Sequence, residues 1–289
     1  MRDTFWTNTI WYILLAVTSA AVIVLIFLKT RVRKKTFAFL FAVLGFTYSI
    51  EVSLLLLFKA YTYYPMIRPG DPFFDSVLGN IFSQVSVSSS AVLICVLGLS
   101  KWWLAGFSAA YFLIDVLFVQ LGIYEHYWYR SVFTLAGFFI YGLAIKYWYK
   151  RLFHGSSNWI YYITFYFCTF AISANIVGTM LKLLGVRIFQ SGFYPDPARS
   201  HTAAALIYGP VMVIIMMALN KWDIRWWLKA PVFLLLLVFL WGLVQSGVII
   251  TMPGWDIVIP VFDIAVFYAF TAITDKSLKN APLLRVPAA

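Results

Sequence analysis

The sequence predicts an all-α integral membrane protein of about nine transmembrane helices, with its N-terminus outside and its C-terminus in the cytoplasm. Three observations carry that prediction. Of the 289 residues 63% are apolar and 11% charged, with a mean hydropathy of +0.86. A soluble domain has too little interior to conceal so much apolar surface, whereas a bilayer solvates it. Apolar runs long enough to cross the hydrocarbon core, about 20 residues each, recur nine times along the chain. Basic residues gather at alternate ends of these runs, as the positive-inside rule requires.

The first run, 9–28, has no basic segment before it and no small-residue cleavage site after it, so it reads as a span and not as a cleavable leader. A basic segment, Arg31 to Lys35, then sets topology and contacts lipid headgroups. The second run is 36–58. The third and fourth, 79–100 and 102–123, are separated by Ser100-Lys101-Trp102 alone; joining them would need one helix of more than about 40 residues. The remaining runs are 131–149, 158–181, 202–219, 230–251 and 257–274. With the N-terminus outside, 15 of the 22 Lys and Arg fall on the cytoplasmic side, from Lys29 to Arg285. The outer segments hold the other 7, namely Arg2, Lys59, Arg68, Arg130, Lys182, Arg187 and Arg199. The net charge of +11 is therefore assigned to anionic headgroups and not to nucleic acid. Trp222, Trp226 and Trp227 read as an interfacial belt. Cys95 and Cys168 lie in apolar runs and read as small buried hydrophobes.

Landmarks recur along the chain. Tyr64-Pro65 matches Tyr194-Pro195 at an offset of 130, and Trp102-Trp103 matches Trp226-Trp227 at 124. Gln120 matches Gln245 at 125, and Trp128 matches Trp255 at 127. These offsets predict two parallel four-helix units behind a first helix, related by an axis along the membrane normal. The expected organisation is 1–35 for the first helix and basic loop, 36–151 and 152–276 for the units, and 277–289 for a cytoplasmic tail. In the first unit, the Tyr-Pro/Asp-Pro loop, the run Leu121-Gly122-Ile123-Tyr124-Glu125-His126, Trp128 and Ser131 resemble an uncharacterised family of small polytopic membrane proteins of spore-forming Gram-positive bacteria. The resemblance covers about a third of the chain; it implies a bacterial cytoplasmic membrane and no activity.

Charges inside spans cost roughly 2.5–3.5 kcal/mol each on insertion scales and mark candidate sites. Glu51, Asp115 (near the middle of its run) and Asp263 (one turn after Pro260) qualify. No Lys or Arg is expected at matching depth, so these acids read as a proton or cation relay or, more plainly, as neutral carboxyls bonding between helices. Gln84, Gln120, Gln245 and Asn175 accompany them as intramembrane polar groups, with Gln120 and Gln245 at matching landmark positions. The serines around Gln84 read mainly as packing residues. On the outer face Asp71, Glu125, His126, Asp196, His201 and Asp256 are candidate ligand-binding residues. No metalloprotease or hydrolase spacing joins them, Asp71-Pro72 and Asp196-Pro197 suit ordinary turns, and the metal question stays open.

The function these residues predict is a polar intramembrane cavity open to the outside. It would serve as a small-solute or ion transporter, or as a receptor-like binder, with no cofactor. The partners expected are the bilayer itself, a small solute, ion or lipid, and other membrane proteins. One rival is an outer-leaflet enzyme acting on a lipid or envelope precursor through Glu125, His126, Asp196 or His201. Another is a membrane scaffold or assembly subunit.

Overall fold

The computed structural model describes residues 4–155, 158–221 and 225–279. Arg2, Trp222, Arg285 and residues 280–289 of the expected tail lie outside the described residues. Among the described residues nine helices are long and apolar enough to cross a membrane, which fits a multi-pass membrane protein. They are α1 (Phe5–Lys29), α2 (Arg33–Leu56), α3 (Pro72–Val96), α4 (Lys101–Gln120), α5 (Ser131–His154), α6 (Asn158–Leu183), α7 (Pro197–Lys221), α8 (Trp226–Gln245) and α9 (Val258–Lys279).

Local signals that hydropathy does not weigh set several helix ends. Helix α3 begins at residue 72 and not 79. Asp71 caps it by accepting the Phe74 N–H at 3.2 Å, and Pro72 fills the first turn, where a missing N–H costs nothing. Helices α4 and α8 each stop at a Gln followed two residues later by a glycine. Gly122 (φ +68°) and Gly247 (φ +75°) adopt the left-handed conformation that closes a helix. Their amides bond back to the carbonyls of Val119 (3.0 Å) and Val244 (3.0 Å).

Four short strands depart from the all-α expectation. β1 (Tyr61–Tyr63) pairs antiparallel with β2 (Tyr124–His126), setting Tyr61 opposite His126 and Tyr63 opposite Tyr124. β3 (Arg187–Phe189) pairs in the same way with β4 (Ile249–Thr251), setting Arg187 opposite Thr251. These ladders satisfy the backbone groups of loops that would otherwise be left unpaired beside an apolar phase.

The chain divides into two compact units, one holding the described residues up to Thr164 and the other those from Phe165. In the first, α3 is the centre: α1, α2 and α5 pack on it, and α4 packs on α5. Close approach depends on two glycines. A Cβ at Gly79 would lie 2.6 Å from the Tyr63 Cβ, and one at Gly142 would lie 2.2 Å from the Leu104 Cδ1. The α3 serines join helices, as the packing reading expects. Ser88 donates to Thr47 (3.0 Å), while Ser86 and Ser90 bond the Tyr111 hydroxyl at 2.8 and 2.9 Å.

In the second unit α7 and α8 pack on α9. Phe189, Ala204 and Ile249 form a cluster beneath the β3–β4 ladder. Helix α6 contains a π-helical turn, Asn175–Met180. The loop bonds of this unit parallel those of the first. Tyr64 donates its amide to the Ile123 carbonyl, Tyr127 to that of Ala60, and Tyr63 to the Ser76 Oγ (2.9, 3.0 and 2.9 Å). In the second unit Gln190 donates to Val248, Met252 to Val186, and Phe189 to the His201 Nδ1 (2.8, 3.0 and 3.0 Å). Every matched pair of residues is 125 or 126 positions apart.

Candidate functional site

Strand alternation sets Tyr61 and Tyr63 on one face of the first ladder and brings Tyr124 beside them. The Tyr63 and Tyr124 rings stack at 4.4 Å, and the Tyr61 ring lies 5.4 Å from those of Tyr63, Tyr124 and Tyr129. Beside this cluster is a chamber with about 80 Å³ of room for water centres, enough for several waters. Tyr12, Tyr61, Tyr63, Tyr111, Tyr124 and Tyr129 line it together with Ser83, Thr134, Glu51 and Asp115. The Tyr12 hydroxyl is already engaged, donating to the Ile123 carbonyl at 2.7 Å.

The two acids hold their places differently. Glu51 accepts a hydrogen bond from the Tyr61 hydroxyl. Asp115 accepts from the Thr134 hydroxyl at Oδ2 (2.7 Å). Its Oδ1 lies 3.4 Å from the His126 Nε2 and takes no hydrogen bond among the described residues. The His126 ring meets those of Tyr124 and Tyr129 edge-on, at 4.6 and 5.2 Å. Asp115 is 8% exposed, and no Lys or Arg among the described residues lines the chamber. Two carboxyl groups in a secluded space with no Lys or Arg in its lining are costly unless His126 or another positive or hydrogen-donating group joins them.

The phenols are the complementary partners. Burial pushes the Tyr61, Tyr63 and Tyr124 hydroxyls well above the usual tyrosine range, with the Glu51 charge as a further cause for all three. Burial pushes Tyr129 up to about 12. Protonated phenols donate, and their ring faces attract cations.

A second cavity of about 450 Å³ adjoins the chamber. Phe46, Ile50 and Leu54 of α2 line one side, and Phe133, Gly137 and Ile140 of α5 line the other. Glu51, Val87, Tyr111, Tyr129 and Thr134 line both spaces.

The expected site residues separate into those that meet at the chamber and those that do not. Glu51 and Asp115 share it, and Asp115 stands five residues from the end of α4, not near its middle. Gln84 is buried on α3 with its Nε2 unbonded among the described residues, but it does not line the chamber. Gln120 and Gln245 are the exposed last residues of their helices and do not line the chamber. Asn175 donates to the Ala171 carbonyl within its own helix (2.6 Å).

On the loops, Asp71 is a helix cap, and Glu125 is exposed and accepts from the Tyr64 hydroxyl. Asp196 accepts the Ala198 amide at 2.8 Å, and Asp256 accepts from the Thr251 hydroxyl. His201 is buried. Its Nδ1 accepts from Phe189, which leaves Nε2–H to donate to the Gly178 carbonyl at 3.1 Å. Of the six loop candidates, His126 lies 3.4 Å from a chamber acid, Asp115. No three His, Cys, Asp or Glu among the described residues gather as metal ligands would.

Asp263 corrects the expectation that no basic residue reaches the intramembrane acids. Arg187, which the sequence places with the outer-loop charges, donates to its Oδ2 from Nη1 and to the Val177 carbonyl from Nη2. The Tyr208 hydroxyl donates to the same carboxylate oxygen at 2.7 Å. Both charged side chains are buried, and the guanidinium lies 4.4 Å from the Phe189 ring centre. Asp263 is therefore the anion of a buried ion pair, with its Oδ1 and the Arg187 Nε unbonded among the described residues, and it is not among the residues lining the chamber. Sequence reasoning also missed the chamber tyrosines. Their signal is the period-two spacing in Tyr61-Thr62-Tyr63 and Tyr124-Glu125-His126, a strand pattern inside loops. Neither family models, nor curated proteins, nor solved structures match the chain.

Proposed function

We infer that the protein is a multi-pass protein of a bacterial cytoplasmic membrane, with its N-terminus outside, that binds a small cation or amine-bearing solute in the first-unit chamber. Transport or receptor-like sensing is the role we assign to that binding. The observation that carries the reading is the buried Asp115 Oδ1, which accepts no hydrogen bond among the described residues and has the His126 Nε2 beside it at 3.4 Å. Asp115 shares with Glu51 a chamber that no Lys or Arg among the described residues lines. A ligand bringing positive charge and N–H groups, or a bare cation, supplies what the chamber lacks. The protonated phenols offer further oxygen partners and ring faces.

A parallel repeat of two four-helix units behind α1 is part of the same reading. The two ladders, the two glycine-closed helix ends and the matched loop bonds at offsets of 125 and 126 support it. In that frame the second unit is the structural counterpart of the first, with Arg187 supplying its cation internally. The enzymatic alternative finds less support. Glu125 and His126 serve the first unit's loops, while Asp196 and His201 serve a helix start and a strand amide in the second.

The test is thermal unfolding of the purified protein in detergent across a panel of alkali cations and small ammonium ions. At least one should raise the melting temperature of the parent in a concentration-dependent way. Asp115→Asn, which keeps the bond from Thr134, should remain folded and lose most of that response. An undiminished response in this variant sinks the proposal.

A further inference from the structure

We propose that the first unit takes up an amine-headed membrane amphiphile, with its tail in the groove between α2 and α5 and its head in the chamber. This rests on the reading of the chamber as a site for a cation or amine, and it names the ligand class. Three observations carry it.

The first is continuity. Glu51, Tyr111, Tyr129 and Thr134 line both the groove and the chamber, so the two form one path with a carboxyl group at the junction.

The second is the division of chemistry along that path. Beyond the junction the groove is walled by Phe46, Ile50, Leu54, Phe133 and Ile140, while the chamber holds the second acid with its unbonded Oδ1. Among the described residues neither lining contains a Lys or Arg. The combination suits one molecule that is apolar along its length and positively charged at its tip. A headgroup with only negative charge would face Glu51 and Asp115 without compensation.

The third is position and length. Ile50 and Ile140 are 44% and 67% exposed, so the groove opens sideways on helix surfaces that face lipid in a bilayer. Its α5 wall runs from Phe133 to Ala144, a rise of about 16 Å along a helix. That is close to half of a hydrocarbon core about 30 Å thick. The groove therefore matches one hydrocarbon chain standing in one leaflet. A soluble cation requires no such side entrance. The groove is open at Gly137, where an added Cβ would have no atom within 4 Å, so a bulky side chain there would project into free space.

The experiment uses the full chain in phosphatidylcholine nanodiscs. The probe is a long-chain alkylamine carrying a photoreactive diazirine in its tail, with a matched alkyl sulfate probe as the control. Amine labelling should concentrate on residues 46–54 and 133–144 and exceed sulfate labelling there by about tenfold. Glu51→Gln and Gly137→Trp should each reduce it by a similar factor, the first at the head and the second at the tail. Gly137→Leu, a mild change at an exposed helix position, should reduce it less and guards against misfolding.

Equal labelling by both probes overturns the inference, as does amine labelling unchanged in both Gly137 variants. Ethylammonium, which has almost no tail, separates this inference from the reading beneath it. If ethylammonium stabilises the protein through Asp115 while the alkylamine does not label the groove, the chamber reading stands and the amphiphile falls. If neither ligand engages, both fall.

Discussion

At the head of its first ladder the first unit has Tyr61; 126 positions later the second unit has Arg187. Both side chains turn back to the helix before them, Tyr61 to Glu51 and Arg187 to the carbonyl of Val177, a pair again 126 positions apart. From there the chemistry diverges. The arginine is a permanent cation, and it is matched in the interior by Asp263, with Tyr208 bonded to the same carboxylate. The tyrosine is neutral, and the acids near it keep a chamber with no Lys or Arg among the described residues of its lining. Similar ladder bonds thus accompany a charge pair within the chain in one unit and a chamber lined by two acids in the other. The units differ at that strand position, Tyr61 against Arg187, and also in where their acids stand: Glu51 and Asp115 in the first, Asp263 in the second.

The largest effect should come from breaking the buried pair. Arg187→Met leaves a buried carboxylate with only the Tyr208 hydroxyl and should cost about 3–5 kcal/mol, read as a loss of thermal stability. Adding Asp263→Leu should recover most of that loss, since an apolar replacement of both partners is often neutral. A single variant as stable as the parent would remove the contrast between the units.

Next comes the floor of the ladders. Gly79 lies under Tyr63, and the residue 125 positions on is Ala204, packed under Phe189. Gly79→Ala should destabilise by about 1–3 kcal/mol through overpacking. Ala204→Gly should cost less, about 1 kcal/mol, from helix propensity and lost contacts. Denaturant or thermal unfolding checks the ordering.

A third change sharpens the comparison directly. Tyr61→Arg gives the first unit the cation that the second already has. It should weaken binding of a cationic ligand by at least about tenfold in the nanodisc assay while the protein stays folded.

The smallest effect concerns the phenol of Tyr129, raised by burial to about 12 against about 10 for a free tyrosine. A group whose proton is held more tightly in the folded state stabilises fully below the free value, and the benefit is lost as pH rises through the folded value. Tyr129→Phe should therefore follow the parent's pH dependence up to about pH 10 and lose stability less steeply between about 10 and 12. Melting temperatures of the pair across that range test the sign.

The spans were legible because hydropathy sums over some 20 residues and is insensitive to any one of them. Shorter signals were not. Asp71-Pro72 reads as a turn in isolation, yet the same two residues form an N-cap and first turn once α3 follows. The three-residue strands are too brief for a hydropathy window, and Tyr61-Thr62-Tyr63 passes as an ordinary interfacial aromatic cluster. Glu51 and Asp115 stood out by the cost of their charge. Their meeting depended on a ladder between residues far apart in sequence, which no local pattern encodes. Arg187 was counted for the side of the membrane it marks, and a charge count carries no information about depth. Gln120 and Gln245 were noticed for their spacing, whereas the glycines two residues later govern the backbone there.

The β1–β2 ladder also imposes an order on biogenesis. Its strands are separated by two whole spans, so it cannot close until α3 and α4 have entered the membrane. Glu51 finds its hydroxyl partner on Tyr61 ten residues later, early in synthesis. Asp115 has to wait for His126 and Thr134, which the ribosome delivers after α4. During that interval its carboxyl is the exposed liability of a half-made unit. A chain halted just after residue 120 should accordingly be a better substrate for membrane quality control than one halted just after residue 134.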